Sequence, residues 1–144
     1  MDMRTLAALS IAVLAASGCD ILDPGWSRRL GLVMEDPHHF HSLIAPDVVT
    51  RGTPFQITAS TFGSSSCTRA DGYELDALPA AAEIRLYDKS ASSGTACTAD
   101  FGSFPRTITL QFEQAGTAEI RVIGRGEGAD GMAPKTIRKT IVVE

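Results

Sequence analysis

"GTAEIRVIGR", residues 116–125, carries the clearest fold signal in this chain. Ala118, Ile120 and Val122 alternate with Glu119 and Arg121, so apolar and charged side chains take turns along the segment. A period of two places one set on each side of an extended strand, whereas a helix would scatter both around its axis. The segment therefore has one face for a core and one for water, the pattern of antiparallel sheets.

The same period recurs on both sides of it. Ile108, Leu110 and Phe112 alternate with Thr109, Gln111 and Glu113, and Ala82, Ile84 and Leu86 with Glu83, Arg85 and Tyr87. Phe55, Ile57, Ala59 and Thr61 alternate with Gln56, Thr58 and Ser60, and Leu30, Leu32 and Met34 with Gly31 and Val33. Downstream, Ile137, Ile141 and Val143 share one face. Turn chemistry separates these runs: Arg51-Gly52, Gly63 with the serines after it, Asp71-Gly72, residues 89–94, residues 114–116 and the glycine-rich 124–131. Residues 75–83, "LDALPAAAE", are ambiguous between helix and strand and are interrupted by Pro79. About seven to eight short strands divided by turns imply an all-β fold, an antiparallel β-sandwich over residues 28–144.

Two stretches carry a resemblance. "IAPDVVTRGTPFQITASTFG", residues 44–63, is similar to the opening of bacterial immunoglobulin-like domains, and "AGTAEIRVIGR" resembles a late strand of the same domains. The resemblance spans residues 43–144 and implies a single Ig-like sandwich, but its motifs describe strands and turns and carry no chemistry. Unlike antibody domains, the chain has no central-strand tryptophan, and Cys67 and Cys97 fall in or beside loops.

The N-terminus supplies an address. Arg4 precedes an apolar run, Leu6 to Ala16, that ends in small residues and is too short for a spanning helix. That is the layout of a secretory signal, with translation beginning at Met1 or Met3. Ala16, Ser17, Gly18 and Cys19 resemble the lipobox of bacterial lipoprotein precursors, which implies a cleaved signal peptide over 1–18 and lipidation of Cys19. Residues 19–27 then form the lipidated cysteine and a short tether, in which Trp26 is expected to pack on the lower edge of the domain, the alternative being a place at the membrane interface beside the lipid anchor. The implied location is the cell envelope, outside the cytoplasmic membrane; the residues do not choose between inner and outer membrane. Lipidation of Cys19 leaves one pair, Cys67 and Cys97, for a disulfide in an oxidising compartment. The alternative, a metal or redox pair, has no CxxC behind it.

Chemistry-bearing motifs are sparse. "EDPHHFH", residues 35–41, holds His38, His39 and His41 with Glu35 and Asp36. In an extended segment His39 and His41 point to one side, a spacing that suits a Zn or Cu ion, with Glu35 or Asp36 curling back as a further ligand. Gly126, Gly128 and Gly131 spell GxGxxG, but the residues after them alternate as a strand, so the helix that a dinucleotide site needs is missing. There is no GxSxG and no HExxH, and an enzyme is not expected. A net charge of −4 without a Lys/Arg cluster argues against nucleic acid as a partner. The expectation is a lipid-anchored, non-enzymatic module that binds an envelope or surface protein; the alternative is a periplasmic metal-binding protein built on residues 35–41.

Overall fold

A computed structural model describes residues 25–127 and 133–144. The expected signal peptide, Cys19 and the first part of the tether lie outside the described residues, as does the centre of the glycine-rich loop. Among the described residues every regular element is a strand: β1 (Trp26–Leu30), β2 (Glu35–Asp36), β3 (Phe40–His41), β4 (Leu43–Ile44), β5 (Val48–Val49), β6 (Phe55–Gly63), β7 (Thr68–Leu78), β8 (Ala81–Ala91), β9 (Gly102–Leu110), β10 (Gly116–Arg125) and β11 (Pro134–Val143).

The smaller of the two principal sheets runs β4-β6-β9 and is antiparallel throughout. In the larger sheet β7 pairs with one edge of β8, while the other edge is shared. There β1 takes residues 87–91 and β10 takes residues 81–85. The sheet continues through β11 to β5, and β2 and β3 form a separate hairpin. Alternation alone suggests wholly antiparallel ladders, yet β10 runs parallel to β8 and β5 runs parallel to β11. The reason is connectivity. After β8 the chain crosses to the smaller sheet as β9 before returning as β10, and a crossover through another layer permits a parallel neighbour where a tight hairpin does not.

Both sheets contribute to one core. Ile57 and Ala59 of β6, Ile108 and Leu110 of β9, Ile84 and Leu86 of β8, Ile120 and Val122 of β10, and Ile141 and Val143 of β11 belong to a single buried cluster. Removing an isoleucine or leucine of this kind from water stabilises the fold by roughly 1.5–3 kcal/mol. The expected inward faces of β8, β9, β10 and β11 are the observed ones.

The first alternating run behaves differently. Leu32, Val33 and Gly31 are all buried, and Val33 rather than Leu32 or Met34 joins the main core. The chain changes sheets here. Gly31 N–H donates to Leu86 O and Gly31 O accepts from Arg125 N–H, while Leu32 O accepts from Phe62 N–H of the smaller sheet. A segment that crosses between layers has core on both sides, and the period of two breaks. Gly31 also sits where a side chain has no room: a Cβ there would lie 2.3 Å from Thr61 Cγ2 and 2.5 Å from Asp88 Oδ2.

Two further local features were opaque to periodicity. Asp71-Gly72 is a bulge inside β7 rather than a turn between strands, because the register against β8 shifts between Ala70 and Tyr73 and Gly72 adopts φ +90°. The ambiguous residues 75–83 resolve into the end of β7, a turn at Pro79-Ala80 and the start of β8. Pro105 is tolerated within β9 for a geometric reason. Its partner Ser60 sends its own N–H to Ser42 O, away from β9, so the pair Ser60–Pro105 exchanges no hydrogen bond. The proline nitrogen therefore faces the free outer edge, where a missing donor costs nothing and discourages edge pairing.

Candidate functional site at the disulfide-bearing end

Toward one end of the two sheets the inward-facing positions turn polar. Asp88 continues the run Ala82, Ile84, Leu86; Arg106 precedes Ile108 and Leu110; Thr61 follows Ile57 and Ala59. All three are buried, with Asp88 at 2% and Arg106 at 8% exposure. Arg106 Nη2 lies 2.5 Å from Asp88 Oδ1, Arg106 Nη1 donates to Thr61 Oγ1 at 3.0 Å and to Phe104 O at 2.9 Å, and Thr61 Oγ1 donates to Asp88 Oδ1 at 2.8 Å. Arg106 Nη2 also donates to Tyr87 O. The guanidinium of the smaller sheet is thus tied to a carboxylate and a carbonyl of the larger one. Among the described residues Arg106 Nε finds no hydrogen-bond partner, and neither does the Nε of nearby Arg125. Burial, reinforced by the charge of Arg29 and opposed by Asp88, pushes the Arg125 guanidinium below its ordinary value.

Above this polar layer sits the disulfide. Cys67 and Cys97 are bonded with Cα atoms 5.5 Å apart, joining the link between β6 and β7 to the long link between β8 and β9. The pairing expected from the cysteine count is present, and it pins loops rather than the two sheets. The joined segments also share hydroxyl contacts: Ser64 Oγ donates to Thr98 O at 2.9 Å, and Thr98 N–H donates to Ser66 Oγ at 2.8 Å. Asp100 accepts hydrogen bonds from the Ser65 and Thr98 hydroxyls. Those bonds, Ser65 first, hold the Asp100 carboxyl below the usual carboxylate range.

The histidine-rich stretch is folded back on itself beside this loop. Residues 37–39 form a turn between β2 and β3, with Asp36 Oδ1 accepting from His38 N–H at 2.7 Å. Pro37 and a side chain that bonds two residues ahead favour a turn over the extended form. The consequence is that His39 and His41 face separate carboxylates: His41 Nδ1 is 3.4 Å from Glu35 Oε1, and His39 Nδ1 is 3.9 Å from Asp36 Oδ1. Among the described residues no three histidine, cysteine or acidic side chains gather closely enough to hold a metal ion. What anchors the hairpin is Phe40. Its ring meets Phe62 at 5.3 Å and Phe101 at 5.4 Å, both edge-on, and Phe62 and Phe101 stack at 6.0 Å. Hairpin, β6 and the disulfide loop are joined by this aromatic trio, with Phe101 about half exposed at 49%.

Trp26 starts β1 opposite Ala91 and lies partly buried under the Arg69 guanidinium, 3.8 Å from the ring centre. Its backbone pairs with β8, within the sheet. Immediately before it, Gly25 O accepts from both Ser92 N–H at 2.7 Å and Ser92 Oγ at 2.8 Å. The chain therefore enters the domain beside the segment that leads to Cys97.

Two other surface features stand out. Tyr73, Leu75 and Ala77 of β7 pair with Leu86, Ile84 and Ala82 and so share the core-facing side of the larger sheet. Tyr73 and Leu75 are nevertheless exposed, because the smaller sheet ends at β9 and leaves the overhang of β7 uncovered. On the opposite flank a cleft of about 390 Å³ opens between β4 and β11, lined by Glu35, His41, Ile44, Ile137 and Lys139.

The buried Arg106–Asp88 pair was not singled out by motif reading, although its signal was present: polar residues in phase with apolar runs. No spacing rule connects positions 88 and 106, since they lie on different sheets. Comparison with known proteins adds no identity: no family model, no curated protein and no solved structure matches the chain.

Proposed function

We propose that the chain is a lipid-anchored protein of the cell envelope whose domain, an Ig-like sandwich, acts as a non-enzymatic binding module. The sheet order β4-β6-β9 and the adjacent antiparallel pair β10-β11 support the Ig-like reading; the parallel neighbour β8 departs from the antibody arrangement. Anchoring is supported by "LAASGCD", residues 14–20, and by the exclusion of Cys19 from the Cys67–Cys97 bond. Lipid chains on that residue contribute about 0.8 kcal/mol per buried CH₂, enough for two or more chains to hold a protein on a bilayer.

The observation that carries the binding reading is the uncovered, core-facing side of β7. Tyr73 at 42% and Leu75 at 38% exposure sit on the side of the sheet that elsewhere is sealed. Apolar surface exposed in this way is a mark of interaction sites. A photo-activatable residue at Leu75, in the full chain on its native membrane, should couple to one envelope component. The same residue at Thr117, exposed at the start of β10, should not. Equal capture at both positions, or none at Leu75, would remove the reading.

A further inference from the structure

Gly25 is fastened to Ser92 by two hydrogen bonds, at the end of the domain where β8 finishes and the disulfide loop begins. Gly63 and Gly102, which terminate β6 and open β9, lie at the same end, and so does Phe101. The turns at 50–53, 79–80 and 111–115 lie at the other end, where Gly52 N–H reaches Phe112 O and Arg51 N–H reaches Glu144 O. We propose that the disulfide-bearing end, with Trp26 and Phe101, is the face that lies against the lipid headgroups, and that the 50–53 and 111–115 turns point away from the membrane. This rests on the lipid-anchor reading of Cys19.

Reach decides against the inverted arrangement. The six steps from Cys19 to Gly25 span at most about 20–22 Å even when fully extended. β8, with eleven residues, is about 33 Å long from the anchored end to the far tip. Setting the far tip on the bilayer would lift Gly25 beyond the length of its tether. Aromatic placement favours an upright domain over one lying on its β7 flank. On that flank Asp71 and Glu74 pair with Arg28, and Asp76 with Arg85, so its apolar residues are ringed by paired charges. The anchored end presents two aromatic rings, Trp26 beneath Arg69 and the half-exposed Phe101, and aromatic side chains favour the membrane–water boundary. In this orientation the stiffened disulfide loop is a foot, and the surfaces left open to a partner are the flanks and the far turns.

Trp26 is the only tryptophan in the chain, so it reports its own depth. The full lipidated protein is placed in phosphatidylcholine–phosphatidylglycerol vesicles with or without a headgroup spin-labelled lipid, and Trp26 emission is compared. Strong quenching is expected, several-fold above that of a Trp26→Phe/Arg51→Trp variant whose reporter sits at the far turn. A Trp26→Phe/Phe101→Trp variant should be quenched at least as strongly as the native chain. Equal quenching at positions 26 and 51 overturns the proposal. Shielding of native Trp26 from aqueous iodide on vesicle attachment supports it without any substitution, and unchanged iodide access overturns it. Mass spectrometry of the same sample separates the two levels: an unacylated Cys19 refutes the anchor reading and the orientation with it, while an acylated Cys19 with weak Trp26 quenching refutes the orientation alone.

Discussion

The buried pair Arg106–Asp88 leaves this fold vulnerable to a single change. Asp88→Ala removes the carboxylate and leaves a guanidinium, itself only 8% exposed, with the Thr61 hydroxyl and the carbonyls of Phe104 and Tyr87 as its remaining partners. Breaking a buried pair in this way costs about 3–5 kcal/mol, because an uncompensated charge stays out of water. Against a typical total of about 5–15 kcal/mol the loss is large. It lowers the melting temperature by roughly 12–20 °C at about 4 °C per kcal/mol for a domain of this size. Replacing both charges, as in Asp88→Leu/Arg106→Met, removes the pair together with its desolvation cost, and should be milder than Asp88→Ala despite changing two residues. The assay is equilibrium urea unfolding of the oxidised protein, comparing Asp88→Ala, Arg106→Met and the double variant. A loss below about 1 kcal/mol for Asp88→Ala, the worth of an exposed pair, would overturn this account. So would single-variant losses that simply add in the double.

Other consequences can be measured on the same protein. Gly31→Ala should cost about 1–3 kcal/mol in urea unfolding, since its Cβ meets Thr61 and Asp88 at 2.3–2.5 Å within a packed layer. Gly94→Ser, at a turn where a Cβ meets nothing, should cost no more than the strain of its φ of +89°. Reducing the Cys67–Cys97 bond, which closes a loop of 30 residues, should lower stability by about 3–4 kcal/mol, read as the difference between unfolding curves with and without reductant. Asp100 and Asp47 carry depressed carboxyl values, the first through Ser65 and Thr98 and the second through Lys139. A carboxyl held low in the folded state stabilises it above the ordinary carboxylate range and loses that contribution as pH falls below about 4. Stability should therefore decline on acidification through that range, and Asp100→Asn should show a shallower decline in thermal melts across pH.

The alternating runs at 82–86, 108–112, 118–122 and 137–143 were sufficient to assign strands and their inward faces, because one face of each meets the core and a period of two records that. The cysteine count was likewise enough to pair Cys67 with Cys97 once Cys19 was set aside. β7 escaped this logic although Tyr73, Leu75 and Ala77 alternate with Glu74 and Asp76: Asp71-Gly72 reads as a turn and Pro79 interrupts the run, so neither end of the strand is marked. The histidine stretch escaped it as well. Its hairpin is decided by Pro37, by the Asp36 side chain and by where Phe40 finds Phe62 and Phe101, contacts that the spacing of residues 35–41 does not contain.

Local features are therefore legible in the residues alone: which segments are strands, which of their faces are apolar, and which cysteines remain to pair. The tertiary structure decided what depends on residues far apart in the chain. The crossover through β9 makes β10 parallel to β8, and the sheet change at Gly31 places Val33 in the core. The meeting of two layers turns Asp88 and Arg106 from in-phase polar residues into a buried pair. It also brings Gly25, the entry point of the chain, to the same end as the disulfide loop. Periodicity records whether a side chain faces the core. Which strand lies across that core is set by packing between layers, and no short-range pattern encodes it.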